Sequence, residues 1–543
     1  MGERHGGQIL VDQLAIQGVE RVFCIPGESY LAALDGLYGS PVQTVVCRQE
    51  GGVAIMAEAD GKLTGRPGVA FVTRGPGATN ASAGVHIAMQ DSTPMILFVG
   101  QVASDQRDRE AFQEVDYRQM FGPLAKWVAE IDRTDRIPEY VSHAFHVAQT
   151  GRPGPVVLAL PEDMLSATAD VADAPPASLP SGEGAASDVA AVIDRLAKAE
   201  RPFIVAGGSG WSAEAAEALG RLGEIAAVPV GASFRCQDYV DNRRACYAGD
   251  VGIGINPKLA ERVRDADLLL VLGARLGEMT TSGYTLVGIP GPKQELVHVY
   301  PDPDELGRVY RPSLAIVAKA GVFVRQLADA ARPPERPRDG LLAEAHADYE
   351  AWQEPRETPG SLKMEQVVRH LREVLPDDAI LANGAGNYAA WLHRYYRYRA
   401  WRTELAPTSG SMGYGLPAAV AAKLRHPDRD VICLAGDGCF QMTMQEFGTA
   451  AQYGANIVVL ISNNGMYGTI RMHQERSYPG RVSGTTMVNP DFAALARAYG
   501  AYGETVESDA EFPAALERAR SAGCPAILDL RVSPAALSPR LSL

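Results

Sequence analysis

Two polar signals follow two apolar runs in the last third of the sequence. The run DVICLAG ends at Gly436 and is followed by Asp437-Gly438, which completes the motif Gly-Asp-Gly. The run NIVVLIS is followed by Asn463-Asn464, with 24 residues between Gly438 and Asn463. If both runs are parallel strands of one sheet, their carboxyl ends meet at the same edge. A carboxylate and an amide supply oxygens that Mg²⁺ prefers, and the glycines let a diphosphate approach the backbone. The spacing predicts a Mg²⁺-bridged diphosphate site, although either half alone is more typical of a turn.

A further candidate for chemistry lies near the amino terminus. Glu50, in TVVCRQEGGVAIMAEADG, follows a β-branched run and precedes a Gly-Gly helix start. A glutamate at a helix start is often only a charge partner of the helix dipole. From the residues alone a structural role for Glu50 is the more common one, and a functional role is left open.

Alternating strand and helix patterns surround these residues. In roughly the first 165 residues, five β-branched runs each end in a polar or Gly/Pro-rich turn: GVERVFCIPG, TVVCRQEG, GVAFVTRGPG, PMILFVGQV and GPVVLALPED. The segments between them, such as YLAALDGLYG, carry apolar residues at helical spacing. Repeats of strand, helix and strand predict a parallel sheet covered on both faces.

Two linkers divide the chain into three such units. Residues 167–188 are rich in Ala, Pro, Ser, Gly and Asp, and residues 329–340 read DAARPPERPRDG. The later strand runs are RPFIVAGGSG, VPVGAS, ADLLLVLGARLG and ELVHVYPD, then AILANGAG, RTELAPTSG, DVICLAGDG, NIVVLISNNG and CPAILDLRV. We predict an α/β protein with three doubly wound parallel-sheet domains, at 1–166, 187–330 and 360–535.

Composition excludes several classes of protein. The chain of 543 residues is 46% apolar and 21% charged, which is typical of a globular enzyme with more than one core. A net charge of −14 without a Lys/Arg-rich run argues against nucleic acid or a membrane as a partner. No apolar stretch is long enough to span a membrane, no signal peptide is evident, and the seven cysteines form no CxxC pair. We expect a cytoplasmic protein that binds small molecules.

The GDG and NN pair resembles the motif of thiamine-diphosphate (ThDP) enzymes. Their three domains are pyrimidine-binding, central and diphosphate-binding, in that order. The resemblance implies that Asp437, Asn464 and the carbonyl of Met466 ligate Mg²⁺, and that Glu50 activates the cofactor. It implies cofactor contacts from Ala385, Gly386, Asn387, Gly410, Met412, Gly436, Asp437, Gly438, Cys439, Asn464, Met466, Tyr467 and Gly468.

Two of these matches imply the shape of the site. Met412 takes the position of the residue that wedges between the two rings of ThDP, and the carbonyl of Gly410 would accept from its amino group. In the family, the residues matched by Glu50 and Asp437 meet across a subunit interface. A homodimer or homotetramer with the site at the interface is therefore implied.

Nearly the whole chain resembles the acetolactate synthase large-subunit group. TRGPGATNASAGVHIAMQDSTPMILFVGQV and AFQEVD are similar to segments of that group. The resemblance places Phe112 and Lys126 in the substrate pocket and gives Gln113 a catalytic role at the substrate. A charged surface connection is the alternative for the loop around AFQEVD.

Departures from that group point to possible differences in chemistry. Pro26-Gly27-Glu28 stands where the group has Pro-Gly-Gly, and pyruvate decarboxylases have Pro-Gly-Asp there, so Glu28 is a candidate acid or base or else a solvated helix-start residue. The tryptophan that helps select the second keto acid is replaced by His473, and Arg471 could anchor a carboxylate. Two segments that contact FAD in that group are replaced here by RLGEM (275–279) and GDVGIGINP, which argues against FAD as a cofactor.

The function implied is ThDP- and Mg²⁺-dependent making or breaking of a C–C bond in a 2-oxo acid. Decarboxylation of pyruvate or a similar acid followed by carboligation, as in acetolactate synthase, is the leading hypothesis. The alternatives are a decarboxylase or lyase of another 2-oxo or 2-hydroxyacyl substrate, and a non-catalytic ThDP-binding scaffold.

Overall fold

The α/β architecture is confirmed by the computed structural model, which describes residues 2–543 and contains three six-stranded parallel sheets. Helices cover both faces of each sheet, so the central strands are apolar throughout. Met95–Gln101 and Pro155–Pro161, for example, are buried along their whole length.

The amino-terminal sheet has the strand order β3-β2-β4-β5-β7-β6. Its part of the chain contains the strands β1 (Arg4–His5), β2 (Arg21–Cys24), β3 (Gln43–Val46), β4 (Gly68–Val72), β5 (Met95–Gln101), β6 (Trp127–Glu130), β7 (Pro155–Pro161) and β8 (Thr168–Ala169). The helices are α1 (Gly6–Ile16), α2 (Leu31–Leu37), α3 (Glu50–Thr64), α4 (Pro76–Asp91), α5 (Tyr117–Phe121), α6 (Ile137–Gln149) and α7 (Glu162–Ser166). Strands β1 and β8 form a separate antiparallel pair.

The central sheet is built from the middle of the chain. Its strands are β9 (Pro202–Ala206), β10 (Val230–Ser233), β11 (Tyr247–Val251), β12 (Leu268–Leu272), β13 (Glu295–Tyr300) and β14 (Leu314–Val317). Its helices are α8 (Ala186–Lys198), α9 (Ala213–Ile225), α10 (Pro257–Asp265), α11 (Ala320–Asp329) and α12 (Leu341–Trp352). The strand order is β11-β10-β9-β12-β13-β14.

The carboxyl-terminal sheet has the order β16-β15-β17-β18-β20-β19. The strands of this region are β15 (Ile380–Asn383), β16 (Glu404–Leu405), β17 (Val431–Gly436), β18 (Val458–Asn463), β19 (Tyr502–Val506), β20 (Ala526–Arg531), β21 (Ala536–Ser538) and β22 (Leu541–Ser542). The helices are α13 (Met364–Val374), α14 (Tyr388–Tyr395), α15 (Gly415–Arg425), α16 (Asp437–Gln441), α17 (Phe447–Tyr453), α18 (Gly468–Ser477), α19 (Phe492–Ala498) and α20 (Phe512–Arg520). Strands β21 and β22 pair with each other.

Four strands of the three six-stranded sheets were not expected from the sequence, and all four lie at the edges of their sheets. These are β6, β11, β14 and β19. Three of them are less buried than the central strands, and in β14 the apolar residues Ala315 and Val317 are exposed. An edge strand packs against fewer neighbours and therefore carries a weaker apolar run than a central strand.

Contacts divide the chain into two compact units. The first contains the described residues up to Pro180 together with 407–427 and 441–456, and the second contains 181–406, 428–440 and 457–543. The first unit thus holds the amino-terminal sheet with α15 and α17, and the second holds the other two sheets. The domain boundaries expected from the linkers stay a prediction. Among residues 2–543, no helix combines the length and the apolar character needed to cross a bilayer.

Candidate functional site

Glu50 stands at the carboxyl edge of the amino-terminal sheet. Strand β3 ends at Val46, and α3 begins at Glu50 because the Gln49 side chain caps it, accepting from the N–H groups of Gly51 at 2.6 Å and Gly52 at 3.2 Å. The half-buried carboxylate of Glu50 accepts a hydrogen bond of 2.9 Å from the Asn80 amide on α4. Its position is therefore set by both helices.

Gln113 lies at the same edge, against the turn that follows β4. Gly75 has a φ of +61°, and a Cβ there would lie 2.8 Å from the Cβ of Gln113, so the turn admits only glycine. The N–H of Gly75 donates to the Tyr117 hydroxyl at 2.8 Å, which fixes this contact. Gln113 itself has a φ of +67°, and its buried amide oxygen has no hydrogen-bond partner in the part of the chain that the structure describes. A strained residue with an unpaired acceptor is typical of a position that contacts a ligand.

The loop that carries Gln113 is held by local contacts. The carboxylate of Glu114 accepts from the N–H groups of Asp108 at 2.8 Å and Ala111 at 3.0 Å, and the Arg74 guanidinium donates to the carbonyl of Phe112 at 3.1 Å. The Phe112 side chain is 73% exposed, so it is available to a ligand.

Glu28 reaches this edge from β2. It begins the 3-10 turn Glu28–Tyr30 and is exposed, while the Ser29 hydroxyl next to it bonds the Thr73 hydroxyl at 2.8 Å. Because β3, β2 and β4 are neighbours in the sheet, Glu50, Glu28 and Gln113 share one edge.

The structure does not bring Lys126 to that edge. Lys126 directly precedes β6, and all six strands are parallel, so it lies at the amino edge of the sheet. Its ammonium group donates to the carbonyl of Thr150 at 2.6 Å, at the end of α6. An ammonium group that donates to the carbonyls at the end of a helix caps that helix.

The segment with Gly410 and Met412 belongs to the first unit and is held by buried ionic groups. The N–H of Thr408 donates to Asp91 at 2.8 Å, and the Tyr414 hydroxyl donates to Glu58 at 2.6 Å. Lys62 forms ion pairs with both Glu58 and Asp91. The conformation of residues 408–414 is therefore fixed by α3 and α4, with Gly410 at a φ of +68°.

In the second unit, Asp437 follows β17 and is buried, with 3% of its surface exposed. Its carboxylate accepts from the N–H groups of Gly438 and Gly465, each at 2.8 Å, and from the Asn489 amide at 2.7 Å. Burial raises the pKa of Asp437, while these neutral donors oppose the shift.

The neighbouring strand brings two asparagines to the same edge. Asn463 ends β18 and is bonded to Asp529 at 2.9 Å and to Asn489 at 2.9 Å. The side-chain oxygen of Asn464 accepts from the N–H of Met466 at 3.1 Å. Asn489 was not expected from the sequence, because NPD resembles an ordinary turn and carries no sign of a contact with β17.

The other residues that the sequence predicts to contact a cofactor in this unit lie at this edge or support it. Tyr388 lies beneath the glycine turns, since Cβ atoms on Gly386 and Gly436 would lie 2.9 and 2.8 Å from its ring, and its hydroxyl lies 3.2 Å from the Cys439 sulfur. Asn387, next to Ala385-Gly386, is bonded to the carbonyl of Leu537 at 2.8 Å.

The turn after β18 leads into α18. The N–H of Tyr467 donates to the carbonyl of Thr485 at 2.9 Å, and the carbonyl of Met466 accepts from the N–H of Gly468 at 2.9 Å. Residues 466–468 therefore form the start of α18, next to Asn464.

Arg471 and His473 both lie on α18. Arg471 is paired with Glu475, one turn later, at 2.7 Å, and His473 is exposed. An anchoring role for Arg471 would require a substrate carboxylate to compete with Glu475.

The donor set around Asp437 fits Mg²⁺. Carboxylate, amide and backbone carbonyl oxygens are the ligands that this ion takes, usually with water and phosphate oxygens. Burial raises the pKa of Asp529 and the charges of Asp491 and Asp437 add to the shift, while the Asn463 amide and the Arg531 guanidinium oppose it. A cleft of about 440 Å³ opens beside Asn464 and Asn489. No cluster of three or more His, Cys, Asp or Glu side chains suited to a metal occurs within residues 2–543, so the site would rely on amide and backbone oxygens.

Comparisons with known proteins identify the family. Three family models match: the N-terminal TPP binding domain of thiamine pyrophosphate enzymes at residues 4–120, the central domain at 189–327, and the C-terminal TPP binding domain at 384–530.

Similar proteins of known name span almost the whole chain. The acetolactate synthase large subunit of Corynebacterium glutamicum is 32% identical over 95% of this chain and 84% of its own length. The corresponding subunit of Parasynechococcus marenigrum is 31% identical over 97% and 87%. The mitochondrial acetolactate synthase catalytic subunit of Aspergillus candidus is 30% identical over 97% and 80%. The chain belongs to the thiamine pyrophosphate (thiamine diphosphate) enzyme family and is similar to its acetolactate synthase large subunits.

Proposed function

We propose that this ThDP enzyme decarboxylates pyruvate or a similar 2-oxo acid and joins the remaining acyl group to a second carbonyl compound, as the name of its acetolactate synthase relatives indicates. The observation that carries the proposal is the buried Asp437 carboxylate at the end of β17, next to Asn464 at the end of β18. Bound ThDP supplies an electron sink for cleaving a bond next to a carbonyl.

The residues of this chain have separate tasks in the proposal. Asp437, Asn464 and the carbonyl of Met466 would hold Mg²⁺, which would supply positive charge to balance the diphosphate, and the Glu50 carboxylate would move a proton at the aminopyrimidine. The turns at 385–387, 410–412, 436–439 and 466–468 hold the cofactor.

Substrate contacts come from the edge of the amino-terminal sheet and from α18. The amide of Gln113 positions the substrate and Glu28 exchanges protons with it, while Phe112, Arg471 and His473 line the pocket. Glu50 and Asp437 belong to different units of the chain, and we propose that the complete site forms at the interface of a homodimer or homotetramer. We also propose that the protein functions in the cytoplasm.

FAD is not part of the proposal. The glycine turn after β9 carries Gly207 and Gly208, whose carbonyls accept from the Trp211 indole at 2.9 Å and from the Tyr239 hydroxyl. The ring of Trp401 packs edge-on against Tyr239, with centroids 4.6 Å apart. Aromatic side chains thus pack against this turn at the carboxyl edge of the central sheet, which supports leaving FAD out of the proposal.

A decarboxylase or lyase of another 2-oxo acid is the second candidate. The exposed carboxylate of Glu28 favours it, because a proton donor at the substrate would allow the bound acyl group to be released as an aldehyde instead of being transferred.

Proton NMR of the purified protein with pyruvate, ThDP and Mg²⁺, with and without FAD, tests the proposal. We expect acetolactate in both samples. Glu50→Gln should lower the rate at least about 100-fold, the usual contribution of general acid–base catalysis. The matched control is Glu139→Gln, another glutamate in the first turn of a helix, which is exposed and should retain full activity. Acetaldehyde would favour the decarboxylase, and unchanged pyruvate would refute pyruvate as the donor.

A further inference from the structure

A buried carboxylate outside the site described above contacts the turn that leads to Glu50. Glu446 ends the 3-10 turn Met444–Glu446 and has no exposed surface. Its carboxylate accepts from the N–H of Gln49 at 2.9 Å, from the N–H of Arg48 at 3.2 Å and from the Thr449 hydroxyl at 2.7 Å. Both backbone donors lie directly before Glu50 in the chain.

These two N–H groups precede α3 and have no partner inside the helix. The Gln49 side chain satisfies two further donors, those of Gly51 and Gly52, so Glu446 and Gln49 together bind four of the five N–H groups of residues 48–52. Hydrogen bonds to an ionised acceptor are about twice as strong as neutral ones. Burial raises the pKa of Glu446, but its hydrogen-bond donors oppose the shift, and in the ionised form that they favour Glu446 holds the backbone before Glu50 by two such bonds.

The fit between Glu446 and α3 is close. A Cβ on Gly52 would lie 2.3 Å from a carboxylate oxygen of Glu446, so only glycine admits the carboxylate at this distance. Farther along, the Gln452 side chain accepts from the Arg48 guanidinium at 2.5 Å, and the Tyr453 hydroxyl accepts from the N–H of Val46 at 2.7 Å. Residues 446–453 thus hold the end of edge strand β3 and the start of α3.

We propose that Glu446 is a positioning residue for the reaction: by binding the N–H groups of Arg48 and Gln49 it sets the place and direction of the Glu50 carboxylate. This inference rests on the proposed function, in which Glu50 moves a proton at the cofactor. Glu446 is buried and bonded to Thr449, so it acts only through the backbone. Catalytic geometry is sensitive at this scale, since a displacement of about 1 Å can lower a rate 100-fold.

The test compares Glu446→Gln with Asp60→Asn. Asp60 is another buried carboxylate of α3, paired with Arg425 at 2.9 Å and distant in sequence from the helix start. Hydrogen exchange followed by mass spectrometry of the cofactor-free protein reports the peptide that covers residues 47–52. Steady-state kinetics of the loaded enzyme report kcat and KM for pyruvate.

For Glu446→Gln we expect exchange of residues 47–52 to become at least about tenfold faster, kcat to fall roughly 10- to 100-fold and KM to change less than about threefold. Asp60→Asn should change none of these. Because both residues act through one carboxylate, the double variant Glu446→Gln/Glu50→Gln should be no slower than Glu50→Gln alone.

Three results would overturn the proposal: unchanged exchange, faster exchange with an unchanged kcat, or additive effects in the double variant. Should Glu446→Gln fail to fold, Gly52→Ala displaces the same carboxylate and takes its place. A fully active Glu50→Gln protein would instead refute the role of Glu50, while the exchange data would still report whether Glu446 holds the turn.

Discussion

Asn489 gives the sharpest test of the metal site, because it orients Asp437 without being one of the proposed ligands. In Asn489→Ala, the Asp437 carboxylate loses a hydrogen bond of 2.7 Å and the Asn463 oxygen loses one of 2.9 Å. A hydrogen bond to a charged group contributes about 1.5–3 kcal/mol. Since about 1.4 kcal/mol corresponds to a tenfold change in affinity, we expect Mg²⁺ to bind roughly 10- to 100-fold more weakly.

The assay is a titration of the cofactor-free protein with Mg²⁺ at a saturating concentration of ThDP, followed by calorimetry or protein fluorescence. Val488→Ala is the matched control, since Val488 is the preceding residue and is 99% exposed. It should bind Mg²⁺ as the unmodified protein does. Asp437→Asn removes a proposed ligand and should abolish binding at the concentrations used.

The reasoning would be refuted if Asn489→Ala bound Mg²⁺ within about twofold of the unmodified protein while Asp437→Asn did not bind it. Asn489 would then only stabilise the loop. Equal binding by all variants would refute the metal site itself.

Two further predictions concern stability. Lys62→Met leaves the buried carboxylates of Glu58 and Asp91 without their cation, so we expect the free energy of unfolding to fall by about 3 kcal/mol and the apparent Tm by several degrees. Lys198→Met removes an exposed ion pair and should change the Tm very little. Equal Tm values for the two variants would contradict this prediction. Burial raises the pKa of Asp250 to about 8. The folded protein therefore retains a proton that the unfolded chain releases near pH 4, and the free energy of unfolding should fall as the pH rises from 5 to 8. Because Asp250 is partly exposed, we expect Asp250→Asn to gain about 2 kcal/mol over that range, seen as a Tm difference that grows with pH; a constant difference would contradict the shift.

Much of the fold is predictable from the sequence because its central strands are buried on both faces. Runs such as those of β5 and β18 have to be apolar throughout, and the turns after them contain glycine or polar residues. The edge strands β6 and β19 were missed because one side of each is less covered, which permits polar residues in them, and the four-residue strand β14 was missed although it is apolar. Their presence follows from sheet pairing and not from a local pattern.

Part of the candidate site follows from the same rule. In parallel sheets, residues after neighbouring strands share an edge, so Glu28 and Glu50 come together at one sheet, and Asp437 and Asn464 at another. The rule also places Lys126 at the opposite edge, because it precedes its strand. The resemblance to the acetolactate synthase group had suggested a pocket position for Lys126, because strand β6 was not recognised from the sequence.

The sequence by itself determined the three parallel sheets, their glycine turns and the polar residues at the strand ends, because these depend on periodicity and on neighbours a few residues apart. Only the tertiary structure decided that Asn489 meets Asp437, 52 residues away, and that Glu446 meets Gln49, 397 residues away. Such contacts arise when separate segments pack together. Neither residue differs locally from an ordinary turn or helix residue, so no local pattern could have identified its partner.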